Sequence, residues 1–72
     1  MLKFLTKREL QIAHLVSEGL SNKAIGRRLE TSDGTVKVHL HNIFQKLQID
    51  KRAALIAMVI RNEKPAQIAV QD

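Results

Sequence analysis

Apolar residues recur along this chain at spacings of three and four, in blocks separated by short polar stretches, which is the signature of amphipathic helices. The first block is Ile12, Ala13, Leu15 and Val16. It is preceded by Thr6-Lys7-Arg8-Glu9, a capping box in which Thr6 accepts from the Glu9 N–H and Glu9 reaches back to the N–H of Thr6. Leu5 is placed to staple onto Leu10, and Gly19 is a suitable residue to end the helix. Ser21 opens a second, shorter helix that buries Ala24, Ile25 and Leu29 and carries Lys23, Arg27 and Arg28 outward. Ser32 is the N-cap of a third, with Asp33 in its first turn and an apolar stripe of Val36, Leu40, Ile43, Phe44 and Leu47. Asp50 is placed to cap a fourth, and Pro65 forbids its simple continuation.

The pattern predicts an all-α domain of four helices, at about 7–18, 22–29, 33–47 and 51–62, with no convincing strand. Residues 1–5 form an N-terminal arm, 6–62 the domain, and 63–72 a frayed tail. Only about three residues, 30–32, join the second helix to the third. Such a link prevents antiparallel stacking along their full length, so the two cross steeply, as in a helix-turn-helix.

The third helix has an unusual polar side. Thr35, Lys37, Val38, His41, Asn42, Gln45 and Lys46 face away from the stripe, and no acidic residue lies between Asp33 and Asp50. A face of this kind can approach phosphates without like-charge repulsion, and a B-DNA major groove, roughly 12 Å wide, admits one helix. At about 100° per residue, Val38 points almost directly away from the core. An isolated exposed valine is compatible with an ordinary surface. The sharper expectation is contact with a thymine methyl, flanked by Lys37 and His41 reaching base acceptors. Thr35, His39 and Lys46 lie on the flank where phosphates would run.

The fourth helix holds eight successive apolar residues, Ala53 to Ile60, and in a domain this small it can bury only one side internally. Ala53, Ile56, Val59 and Ile60 are expected to face the core. Ala54, Ala57 and Met58, with Arg61 at the edge, are then left for a weak homodimer contact. The alternative is that these alanines are simply good helix formers.

Composition narrows the function classes. The 72 residues carry a net charge of +5 and no cysteine, which favours a polyanionic partner and excludes disulfides, thiolate metal sites and cysteine nucleophiles. The longest apolar run is too short to span a bilayer. Two phenylalanines with no tryptophan or tyrosine argue against single-strand binding by aromatic stacking. His39 and His41 point about 160° apart on a helix, so one ion cannot easily take both. Gly19, Gly26 and Gly34 match no nucleotide fingerprint. No enzyme activity, cofactor, metal, small-molecule ligand or membrane is expected.

The residues also carry a resemblance. Leu5-Thr6-x-Arg8-Glu9, Gly19-x-Ser21-Asn22-Lys23-x-Ile25, Ser32-x-x-Thr35-Val36-Lys37-x-His39, Ile43-x-x-Lys46-Leu47 and Arg52 together resemble the LuxR-type (GerE-type) helix-turn-helix family of bacterial transcription regulators, over about 5–60. The resemblance implies a cytoplasmic bacterial regulator that binds double-stranded DNA at a palindromic or two-half-site operator. Helix three would read the bases and helix four would make the dimer contact. Carried over by position, Lys37, Val38 and His41 fall at base edges, while Asn22, Lys23, Ser32, Thr35, His39 and Lys46 fall at or near phosphates. The chain departs from the family pattern at Ala24, commonly Glu, at Gly26, usually Ala, and at Glu30-Thr31, usually a small or turn residue and an aliphatic one. A free-standing regulator and an effector domain of a two-domain regulator remain open. The competing reading is a helical protein-interaction module, such as a sigma-factor-like region contacting RNA polymerase. Such a groove would show leucine or phenylalanine anchors, whereas the free face of helix three shows Lys, His, Asn and Gln.

Overall fold

The computed structural model describes residues 2–63. They form a 3-10 turn, Leu2–Phe4, and four α-helices: α1 (Lys7–Ser17), α2 (Asn22–Arg28), α3 (Asp33–Leu47) and α4 (Arg52–Glu63). Among the described residues there is no strand. The expected tail, apart from Glu63 at the end of α4, lies outside the described residues.

The helix starts follow the local chemistry. Thr6 Oγ1 accepts from the Glu9 N–H at 3.1 Å and Glu9 Oε1 accepts from the Thr6 N–H at 2.9 Å, completing the capping box. Ser21 Oγ accepts from the Ala24 N–H at 3.1 Å, so α2 is capped from one side even though alanine supplies no reciprocal carboxylate. Ser32 Oγ accepts from the Thr35 N–H at 3.1 Å and donates to Thr35 Oγ1 at 3.0 Å. Helix α4 departs from expectation by one residue. The Lys51 carbonyl accepts from Ala54 and Leu55, so the helix opens at Lys51 rather than on an Asp50 cap.

Three helices close on a left-handed residue. After α1, Gly19 takes a φ of 90°; its N–H donates to the Val16 carbonyl and that of Leu20 to Leu15. This pair of bonds satisfies carbonyls that a helix end otherwise leaves bare. The same pair ends α2, with the Glu30 N–H on Arg27 O and the Thr31 N–H on Gly26 O at 2.7 Å, but here the left-handed residue is Glu30, with a φ of 59°. Gln48, with a φ of 57°, ends α3, and Ile49 bonds back to Phe44. The tight α2–α3 turn also needs Gly26. A Cβ there would lie 2.8 Å from the Thr31 carbonyl oxygen and 3.3 Å from the Asp33 nitrogen.

The core is built from Ile12, Ala13, Leu15 and Val16 of α1, Ile25 of α2, Val36, Leu40, Ile43 and Leu47 of α3, and Leu55 and Val59 of α4. Helix α1 is central, packing on both α4 and α3, while α2 packs chiefly on α3. Leu5 and Leu10, the expected staple pair, both lean on this core half-buried.

In the N-terminal arm, Leu2 is buried in the core, and its carbonyl accepts from the Leu5 N–H at 3.0 Å. One expectation is corrected: helix α4 is rotated relative to the expected core face. Leu55 and Val59 are fully buried, Ile56 and Met58 lean on the core, and Ala53 and Ile60 are exposed. With apolar residues on every side, no polar stripe fixes the helix's rotation. The decisive contact is Arg52, on the same face as Leu55 and Val59, whose guanidinium reaches back to the α1–α2 connection.

Candidate nucleic-acid interface

Helix α3 buries Val36, Leu40, Ile43 and Leu47, and this single apolar stripe determines what its other side presents. Lys37, Val38, His41, Asn42 and Gln45 are exposed. Val38 is 60 % exposed, although it sits in the middle of a helix whose neighbours supply ample apolar surface. The three residues expected at base edges, Lys37, Val38 and His41, therefore share the free side of one helix.

The residues expected at phosphates divide into two groups. Lys23 and Thr35 are exposed, and so is Ser32, whose hydroxyl is already committed to capping α3. His39 is half-buried. Lys46 and Asn22 are tied into the fold. Lys46 Nζ donates to Glu9 Oε1 at 2.7 Å; the lysine keeps 38 % of its side-chain surface exposed, while the glutamate is buried. Its ammonium is thus held against α1 while the rest of the side chain stays partly exposed. Burial pushes the Glu9 carboxyl up, but the Lys46 hydrogen bond, the Thr6 backbone bond and the ammonium's charge together outweigh that and hold it below the ordinary glutamate value. The capping box and the ion pair therefore share one carboxylate, which joins the start of α1 to the last turn of α3.

Asn22 opens α2, and its Oδ1 accepts from Arg52 Nη1 at 2.8 Å. Arg52 Nη2 donates to the Leu20 carbonyl at 2.7 Å. Asn22, Lys37, Leu40, His41, Phe44 and Arg52 line a recess of about 300 Å³ beside the exposed edge of α3. Sequence reading noted Arg52 only as a mark of resemblance. Its partners lie about thirty residues away in the chain (30 and 32 positions), and no local pattern announces them.

Of the residues expected at a dimer contact, Ala57 and Arg61 are exposed, whereas Ala54 is half-buried and Met58 leans on the core. The outward stripe of α4 is instead Ala53, Ala57 and Ile60, the last 43 % exposed.

Two helices joined by a tight turn, the second projecting a face with no acid after its first residue, Asp33, from a three-helix support, define a helix-turn-helix domain. The chain belongs to the family described as bacterial regulatory proteins, luxR family (GerE), which matches residues 3–59. It is 42 % identical over 57 residues to the nitrate/nitrite response regulator protein NarP of Escherichia coli, covering 79 % of this chain and 26 % of that protein. It is 45 % identical over 58 residues to the transcriptional regulatory protein LiaR of Bacillus subtilis, covering 81 % and 28 %. Among solved structures, the response regulator ChrA of a heme-sensing two-component system superposes with a TM-score of 0.75 at 37 % identity, covering 82 % of this chain and 29 % of that one. The chain thus spans little more than a quarter of the length of these relatives. It is a LuxR-type helix-turn-helix domain of transcription regulators, which implies DNA binding, and that family is not a class of enzyme. Among the described residues no helix is long and apolar enough to cross a membrane.

Proposed function

We propose that this domain is a sequence-specific reader of double-stranded DNA in a cytoplasmic transcription regulator, with α3 seated in the major groove. The observation that carries this reading is the free edge of α3, where an exposed Val38 lies beside exposed Lys37 and His41, with no acid beyond Asp33 at the helix start. Valine offers a methyl-sized apolar contact to thymine, and the two flanking side chains reach the acceptor-rich edges of purines. Exposed Lys23 and Thr35, with Asn22 and Ser32 nearby, border this edge and suit backbone phosphates, which set register and affinity without reading sequence. Two copies would pair weakly through the outward stripe of α4, Ala53, Ala57 and Ile60, with Arg61 at its rim, and a two-half-site operator would complete the pairing.

Selection from a random duplex pool tests the reading directly. An enriched two-half-site sequence, bound cooperatively, is the expected result; no enrichment, with binding lost uniformly as salt rises, would leave only a basic helical domain. Substitutions then separate the roles. Lys37→Ala is expected to relax preference at one base position, at a cost of about 1–3 kcal/mol on the selected site. Lys23→Ala should weaken all sequences alike and reduce the salt dependence by about one phosphate contact. The opposite pattern would reverse the two assignments.

A further inference from the structure

Asn22 and Arg52 form a contact whose geometry has a chemical consequence. A guanidinium carries only donors, so the atom of the Asn22 amide that faces it must be the carbonyl oxygen. The Oδ1–Nη1 distance of 2.8 Å therefore fixes which way round the amide sits, and it leaves the Nδ2 group, with its two N–H donors, facing away from Arg52. Asparagine free to rotate about its last bond would present oxygen and nitrogen to a polyanion alike. Held by Arg52, it presents donors only. The same guanidinium holds the Leu20 carbonyl at 2.7 Å, and Leu20 lies just past the left-handed Gly19 that ends α1. One side chain from the first turn of α4 thus immobilises both the loop before α2 and the first residue of α2. Asn22 lines the recess it shares with Lys37 and His41, so its free donors border the edge of α3 that the functional reading sets against DNA.

We propose that Arg52 is a positioning residue for DNA binding: by occupying Asn22 Oδ1 it aims the Asn22 amide donors at a backbone phosphate beside the α2–α3–α4 recess. The proposal rests on the DNA-reading assignment above. It adds that α4, which contributes no side chain to the groove, tunes affinity through α2. The phosphate contact is assigned to Asn22 and not to Arg52, whose Nη1 and Nη2 each spend a donor inside the protein.

A double-mutant cycle tests this with a labelled duplex of mixed sequence, because a phosphate contact needs no particular operator. Asn22→Ala and Arg52→Ala are each expected to weaken binding several-fold, whereas Arg52→Ala made in the Asn22→Ala background should weaken it no further. Arg52→Lys keeps the charge but lacks the two-pronged fork, and should lose most of what Arg52→Ala loses. The side-chain N–H2 resonances of Asn22 should shift when duplex is added to the wild type and cease to do so in Arg52→Lys. Thermal unfolding of every variant identifies loss of fold, and Arg52→Lys carries the test if Arg52→Ala fails to fold. Additive losses, with a smaller salt dependence on removing Arg52, would mean that Arg52 meets phosphate directly and would overturn the proposal. Wild-type affinity in Arg52→Lys would overturn it too. If the wild-type domain failed to bind duplex at all, the DNA reading itself would fall, which is a separate outcome.

Discussion

Glu30 holds a backbone conformation that side chains with a Cβ enter at a cost of about 1 kcal/mol, yet it occupies the residue that closes α2. The cost is accepted because the two bonds made there, Glu30 to Arg27 and Thr31 to Gly26, reverse the chain within the few residues available before Ser32. Glu30→Gly is expected to raise stability slightly, by up to about 0.5 kcal/mol, the strain relieved exceeding the added freedom of the unfolded chain. Urea unfolding measures it, and a loss of stability would show that the Glu30 side chain contributes more than its strain costs. Gly26 presents the opposite case. On helix propensity alone, replacing it with alanine would gain up to about 1 kcal/mol. The turn backbone, however, occupies the space of the missing Cβ, with a carbonyl oxygen at 2.8 Å, and backbone does not step aside as a side-chain tip can. Gly26→Ala is therefore expected to lower stability by on the order of 1 kcal/mol and to move α3 relative to α2. An increase in the unfolding midpoint would show that the turn relaxes freely. From the sequence Gly26 is only a departure from the family pattern; its purpose depends on residues 31–33, which only the folded turn brings over it.

Between elements, the decisive contact is the ion pair that fastens α3 to α1. The periodicity of α3 was legible because one face is apolar and the other polar, and its bounds, Asp33–Leu47, are those the sequence predicts. What periodicity could not supply was the partner of Lys46, which lies 37 positions away on a residue already accounted for by its cap. The sign of the pH effect follows from the lowered Glu9 carboxyl. A depressed folded value means that the stabilisation is fully present above the ordinary glutamate value of about 4.3 and is lost as pH falls through the lower, folded value. Lys46→Ala is expected to cost about 1–2 kcal/mol near neutral pH, less than for a fully buried pair because Lys46 is partly solvated. It should also raise the Glu9 titration midpoint, measured by carboxyl NMR. The stability gap between the two proteins should narrow in acid below about pH 4; a gap independent of pH would remove Glu9 from the account.

For the molecule as a whole, the rotation of α4 sets what a second copy would meet. Met58 leans on the core and Ala57 faces out, so Met58→Glu, the natural choice from sequence, would disturb the monomer as well as any interface. Ala57→Glu is the cleaner probe. It is expected to leave thermal unfolding nearly unchanged while abolishing cooperative binding to a duplex carrying two half-sites. Retained cooperativity would move the pairing surface away from this stripe.

The amino-acid order by itself determined where the helices lie to within about a residue, because the Thr6, Ser21 and Ser32 caps, the Gly19 stop and three-and-four spacing are local, short-range physics. It determined the free face of α3 for the same reason, since one apolar stripe leaves only one opposite side. The tertiary structure alone decided the rotation of α4, the burial of Leu2, the closeness of the α2–α3 turn over Gly26, and the pairings Lys46–Glu9 and Arg52–Asn22. The Gly26 contact depends on how residues 31–33 fold back over it; the others depend on groups thirty or more residues apart, or on a helix with no polar face to orient it, so only the packed chain could choose among the alternatives.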